Sequence, residues 1–212
     1  MADIIRRRVV GLLGAACVRG GQSVSPTSHP RFQAISSRER IRQQYFPNLL
    51  LTTHEGKRVR LYDDLIKDKI VLLNFMYVNC EGVCMPITMN LRRVQELLGE
   101  RMGRDIFIYS FTLKPKEDTV SELRQYARMH HVKQGWTFLT GAETSMELLR
   151  RKLGYVDPDP EIDKDKSNHL GIIKYGNEPL ERWGGCPGLS KASWIVKAIS
   201  WLDWPSETKT RD

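Results

Sequence analysis

Residues 70–78 read IVLLNFMYV, a run interrupted by one asparagine. A half-buried strand would alternate apolar and polar residues, and a surface helix would turn polar every third or fourth position. A short continuous run of β-branched, aliphatic and aromatic residues is instead the pattern of a strand buried on both faces. Such strands occur where helices cover both sides of a parallel sheet.

The neighbouring sequence supplies the partners this requires. Ile87, Leu91, Val94 and Leu98 recur at helical spacing, with Gly99 as a stop. DIFIYSFT, residues 105–112, is a second buried strand. Asp118 and Thr119 can cap the next helix, with Glu122 closing a capping box on Thr119 and Val120, Leu123 and Ala127 forming its apolar face. WTFLTG follows as a short strand. Thr140 with Glu143 opens a third helix carrying Met146, Leu149 and Leu153. YVDPDPEIDKDKSN, residues 155–168, is acidic, broken by prolines and expected as loop. HLGIIKYG and EPLERWGG read as a hairpin turning at Gly176–Asn177. Ile195, Ala198, Ile199 and Leu202 form a last amphipathic helix, ended by Pro205. Ahead of these elements, Glu55-Gly56 sits between two alternating runs, a hairpin signal. The expected fold is α/β: a central mixed sheet flanked by helices, with an N-terminal β-hairpin extension.

The first residues have a different character. Arg6 to Arg8 precede Val9–Val18, ten small or apolar residues closed by Arg19. This order is that of a signal peptide. Ten residues rising 1.5 Å each cannot cross a hydrocarbon core of about 30 Å. Residues 1–19 are therefore read as a signal or membrane-targeting segment, with Cys17 in LGAAC a candidate lipidation site. Residues 20–44, rich in Gly, Ser and Pro, read as a flexible linker that includes His29. The domain is expected over 45–205, with a tail at 206–212. These features predict export to the periplasm or the outer face of the inner membrane. The net charge of +8 is spread along the chain without interleaved aromatics, so nucleic acid is not an expected partner. A solvated basic surface is the plain reading of that charge; attraction to an anionic membrane surface, through the N-terminal segment, or to an acidic partner protein is the alternative.

Two of the four cysteines lie just past the first buried strand, in NCEGVCMPI. Ligands of such sheets gather at the carboxyl ends of the strands. If Cys80 to Cys84 forms the first helical turn, the two side chains face the same way with Cβ atoms about 5–6 Å apart. Both sulfurs can then reach one metal ion, or close a disulfide after a small adjustment. The positive end of the helix favours thiolates. Two thiolates leave most metals short of ligands. His54 lies beside the predicted hairpin turn, and His130 and His131 end a helix, where surface roles are expected. His169 lies where the acidic loop enters a strand, overhanging the strand ends. Cys186, in WGGCPGLS, is expected at the start of the last helix as an inert thiol. Trp183, Trp194, Trp201 and Trp204 are expected to serve packing. A structural disulfide, a redox pair and a metal site all remain open on the residues alone.

VLLNFMYVNCEGVC, FIYSFTLKPKEDTVSELRQYA and the late NHLGIIKYG together resemble the Sco/SenC family over residues 45–204. The resemblance implies a thioredoxin-like fold and a copper-binding metallochaperone that assists respiratory oxidase assembly. It implies Cys80, Cys84 and His169 as the ligands of one copper ion, Cu(I) or Cu(II), and a reversible Cys80–Cys84 disulfide. The implied partners are an oxidase copper-site subunit and a thioredoxin-like reductant. The alternative is a thiol–disulfide oxidoreductase, although Cys-x2-Cys is the usual spacing for such enzymes. Three positions depart from the family pattern. Met85 stands where proline usually follows the second cysteine, TLKPKED replaces an Asp-Pro pair, and Asn168 replaces the aspartate before the histidine. Acidic groups are therefore expected to be missing near the site. Copper suits the donors independently: thiolate and imidazole select soft metals, whereas a structural zinc site wants a fourth ligand.

Overall fold

The computed structural model describes residues 35–166 and 171–203. The expected signal segment, Cys17, His29, Asn168, His169, Trp204, Pro205 and the tail lie outside the described residues.

Ile70–Met76 forms strand β3, and all seven of its residues are buried. It pairs in parallel with β4 (Ile106–Thr112), from Ile70↔Ile106 to Met76↔Thr112. β4 pairs in parallel with β5 (Trp136–Thr140). The hairpin of β1 (Leu50–Thr53) and β2 (Arg58–Arg60) joins β5 antiparallel. On the other side, β6 (Ile172–Asn177) and β7 (Arg182–Pro187) extend β3 antiparallel. The sheet order is β2-β1-β5-β4-β3-β6-β7. This is the mixed, thioredoxin-like sheet with the expected N-terminal hairpin.

Strand alternation sorts the core into two layers. Ile70, Leu72 and Met76 join Ile87, Leu91 and Val94 of α2 (Cys84–Leu98) and Ile195 and Ile199 of α6 (Ala192–Leu202). Val71, Leu73 and Phe75 join Leu149 of α4 (Glu143–Lys152) and Leu61, Leu65 and Ile66 of a π-helical turn, Leu61–Ile66. The one polar residue of the run, Asn74, accepts from Ser110 Oγ at 2.7 Å. Ser110 Oγ in turn accepts from Trp136 Nε1 at 2.9 Å, so the buried amide oxygen is satisfied.

Several local expectations are corrected. Residues 37–44, expected as the end of a linker, belong to helix α1 (Ser37–Tyr45), capped by Ser36 Oγ on the Glu39 amide. Its anchor is Glu178, a buried carboxylate that accepts from Arg38 Nε (2.6 Å), Tyr62 hydroxyl (2.7 Å) and the Asp68 amide (2.8 Å). The late turn also moves: β6 runs on through Asn177, and the chain reverses over 178–181 rather than at Gly176–Asn177. Gly176 stays in the strand because the Trp183 ring lies on it; an added Cβ would meet that ring at 2.0 Å. Thr119 caps α3 (Val120–Met129) as expected, but Thr140 remains in β5, and α4 starts at Glu143 without a side-chain cap. Inside the acidic segment a short helix, α5 (Pro160–Lys164), forms behind an Asp159 cap with Pro160 in its first turn.

Candidate metal centre

The two cysteines meet, though not through the expected helical turn. Residues 78–83 are non-helical, and α2 begins at Cys84 itself. Its N-cap, Val83, offers no side-chain acceptor to the first helical amides. Cys80 takes that part. Its sulfur accepts from the amides of Gly82 and Cys84, from the Cys84 thiol and from the Tyr77 hydroxyl. Gly82 sits close over this sulfur, where an added Cβ would lie 3.9 Å from it.

These donors split the pair electrostatically. Burial pushes the Cys80 thiol up, but the four hydrogen bonds prevail and hold it below the ordinary thiol value. Cys84 is buried, and burial together with the neighbouring Cys80 sulfur drives its thiol well above that value. Cys80 is therefore the more acidic of the pair and the more accessible sulfur; Cys84 is the less acidic, inward partner. Both are free thiols in this structure.

A carboxylate supports the loop, contrary to the expectation that acidic groups are missing. Asp118 does not cap α3. It is buried, and its two oxygens accept from the Val78 amide at 3.2 Å each and from the Thr112 hydroxyl. Burial raises its pKa against those hydrogen bonds, and its charge adds to the upward push on Cys84. Lys114 lies with its ammonium 4.6 Å from the Tyr77 ring centroid, on the flank of the site. Tyr77 is itself raised by burial and by its bond to Cys80, and Asp165, just past α5, acts on it in the same direction.

The other candidates separate from this site. His54 Nδ1 accepts from the Phe138 amide at 3.2 Å beside the hairpin turn, and burial lowers its pKa. His130, expected at the surface, is buried at the end of α3 with its ring 4.2 Å from Tyr126 and its Nε2 unpartnered. Cys186 lies in β7 opposite Ile173, not at the helix start. It is buried in the core, and burial raises its pKa to about 11. Trp194 and Trp201 are exposed, while Trp183 packs on Phe46 with centroids 4.6 Å apart.

Two soft sulfurs, one of them biased towards thiolate, are a donor pair suited to monovalent copper. Among the described residues no three His, Cys, Asp or Glu side chains converge to hold a metal ion. A third donor of these types from this chain would have to come from outside the described residues, where His169 lies. Asp118 and Tyr77 carry no spacing signal; only the sheet register brings the end of β4 beside the end of β3.

The SCO1/SenC family model matches residues 37–171. A curated relative, the SCO1 protein homolog of Bacillus subtilis, is 32% identical over 92 residues, which are 43% of this chain and 46% of the relative. The chain thus spans about half the length of that relative. Among solved structures, a SCO1/SenC family lipoprotein from Bacillus anthracis superposes with TM-score 0.60 at 21% identity, covering 74% of this chain and 93% of its own. BsSco, described with a disulfide switch and as a member of the Sco family of cytochrome c oxidase assembly proteins, gives 0.59 at 23%, covering 73% and 90%. Bradyrhizobium japonicum ScoI with copper bound gives 0.59 at 18%, covering 72% and 96%. At these identities the superpositions speak for the fold.

Proposed function

The chain belongs to the SCO1/SenC family, and from that premise we propose that it is a copper-binding metallochaperone for the copper site of a respiratory oxidase. Cys80, Cys84 and His169 are the proposed ligands. The observation that carries the reading is the contact between the two sulfurs at the end of β3 and the start of α2, with the Cys80 thiol held below its ordinary value. Gly171 adds support. It packs against Val83, the residue before Cys84: an added Cβ there would lie 3.4 Å from Val83 Cγ2. It follows His169 by two positions, and two residues of chain reach at most about 7 Å. Copper bound to the Bradyrhizobium relative supports the choice of metal. The copper ion is cargo, held by soft donors in the reduced dithiol state, and loading displaces the Cys84 proton.

Export is proposed with the same function: residues 1–19 serve as the signal, in keeping with a lipoprotein relative. No helix among the described residues is long and apolar enough to cross a membrane.

The asymmetry of the pair favours a second activity at the same atoms. Cys80 is poised to attack a partner disulfide, and Cys84 is placed to resolve the mixed disulfide, giving a thiol–disulfide oxidoreductase that keeps partner cysteines reduced. Titration of the reduced protein with Cu(I) against a competing chelator tests the leading reading. One tight equivalent is expected, lost in Cys80→Ser/Cys84→Ser and weakened in His169→Ala. No tight site in the wild type, or an unchanged His169→Ala, would refute it. Normal reductase turnover in His169→Ala would then favour the second activity.

A further inference from the structure

We propose that Met85 and Met89 form a second, weaker Cu(I) station at the rim of the cysteine site, through which the ion is loaded and released. The inference rests on the copper reading above.

Both methionines are on α2 but off its buried face. Cys84, Ile87, Thr88 and Leu91 point inward, whereas Met85 is 55% exposed and Met89 39%. The long apolar side chain next to the site is thus left in solvent, where packing does not account for it. The two are four residues apart, so they stack on one side of the helix with Cβ atoms about 5–6 Å apart. Helical side chains lean towards the N-terminus. Met89 therefore leans over the turn of Met85, and Met85 leans towards the loop of Cys80. Thioethers are soft, uncharged donors that favour Cu(I) over harder ions, and they bind it without losing a proton. The station can accept copper before the cysteines do. The ion then passes to the Cys80 and Cys84 sulfurs next door, any thiol proton they still hold leaves to water, and no electron is transferred. Met129, the other exposed methionine among the described residues, stands alone on α3 and serves as the internal control.

The test uses reduced protein labelled with 13C at the methionine methyls, titrated with Ag(I), a redox-inert probe for Cu(I). The Met85 and Met89 methyl signals are expected to move together during the second equivalent, with Met129 unmoved. In Cys80→Ser/Cys84→Ser they are expected to move during the first equivalent. In Met85→Leu/Met89→Leu, the cysteine site is expected to keep its affinity for Cu(I) but to load severalfold more slowly from a chelator complex. If the Met85 and Met89 signals stay fixed through two equivalents while the cysteine site fills, the station is refuted and the chaperone reading stands. If they move only when an oxidase copper-site domain is added, the pair is a docking contact and the station is refuted as well. If the methionines bind the probe while the cysteines do not, the chaperone reading falls, and the station, which serves that site, falls with it.

Discussion

Arg150 fastens α5, in the acidic segment, to α4 and so to the body of the domain. Its guanidinium is 4% exposed, and all five of its N–H groups are used. Nε and Nη2 each donate to Glu147 at 2.8 Å, Nη1 and Nη2 each donate to Asp163 at 2.6 Å, and Nη1 also donates to the Tyr155 carbonyl at 2.5 Å. Asp163 belongs to α5, so this fork ties the segment leading towards His169 onto α4. Arg150→Met keeps most of the apolar stem but takes from Glu147 and Asp163 their shared buried partner, leaving Glu147 with Arg151 and Lys166 and Asp163 with the Asp157 amide, and takes a donor from the Tyr155 carbonyl. Removing one partner of a buried pair costs about 3–5 kcal/mol. Glu147 is partly exposed and regains water, which places the loss near 3 kcal/mol. For a domain of this size that lowers Tm by about 6–12 °C. The sign with pH follows from the carboxylates. Arg150 holds Glu147 down to about 2 and Asp163 below the usual range. Their contribution is present above the unfolded carboxylate value and is lost as pH falls towards about 2. The gap between wild type and variant should therefore shrink below pH 4. Thermal unfolding across pH, with Cu(I) affinity measured on the folded variant, checks both halves. Arg151→Met, at an exposed position, should change neither Tm nor affinity. A Tm loss under about 2 °C, or a gap that widens in acid, would refute this account of the fork.

Three further outcomes follow from the structure. In the native reduced protein, iodoacetamide should label Cys80 at a pH below that of an ordinary thiol and leave Cys84 and Cys186 untouched, as read by peptide mass mapping; preferential labelling of Cys84 would invert the assignment. Glu178→Ala, which leaves the Tyr62 hydroxyl and the Asp68 amide without their acceptor and Arg38 with Asp68 alone, should cost about 2–3 kcal/mol and speed hydrogen exchange in α1 selectively; uniform exchange would mean α1 is held by other contacts. Gly176→Ala should displace the Trp183 ring and cost about 1–3 kcal/mol, visible as a shift in tryptophan emission.

The buried strand was readable at 70–78 because its pattern has one structural solution, and the α2 register followed from Ile87, Leu91, Val94 and Leu98, all of them buried. The cysteine pair was readable as a pair but not as a geometry. Its i, i+4 spacing suggested a helix turn, whereas the chain uses the Cys80 sulfur to cap that helix. Asp118 was out of reach of sequence reasoning because its partners, Val78 and Thr112, lie 40 and 6 positions away and meet it only through parallel pairing of β3 and β4. Helix α1 was hidden for a similar reason. Its composition resembles a linker, and its anchor, Glu178, is 140 residues distant. Within the acidic segment, charge and prolines suggested loop, yet Asp159 and Pro160 are also good helix-start residues, and Arg150 supplies the neutralising partner.

The central claim is that Cys80, Cys84 and His169 together hold one copper ion. X-ray absorption at the copper edge of the reduced protein, loaded to one equivalent with Cu(I), reads the ligand set directly. The account predicts a first shell of two sulfurs and one nitrogen, with the nitrogen lost and the sulfurs kept in His169→Ala. A first shell without sulfur, or identical spectra for wild type and His169→Ala, would contradict it.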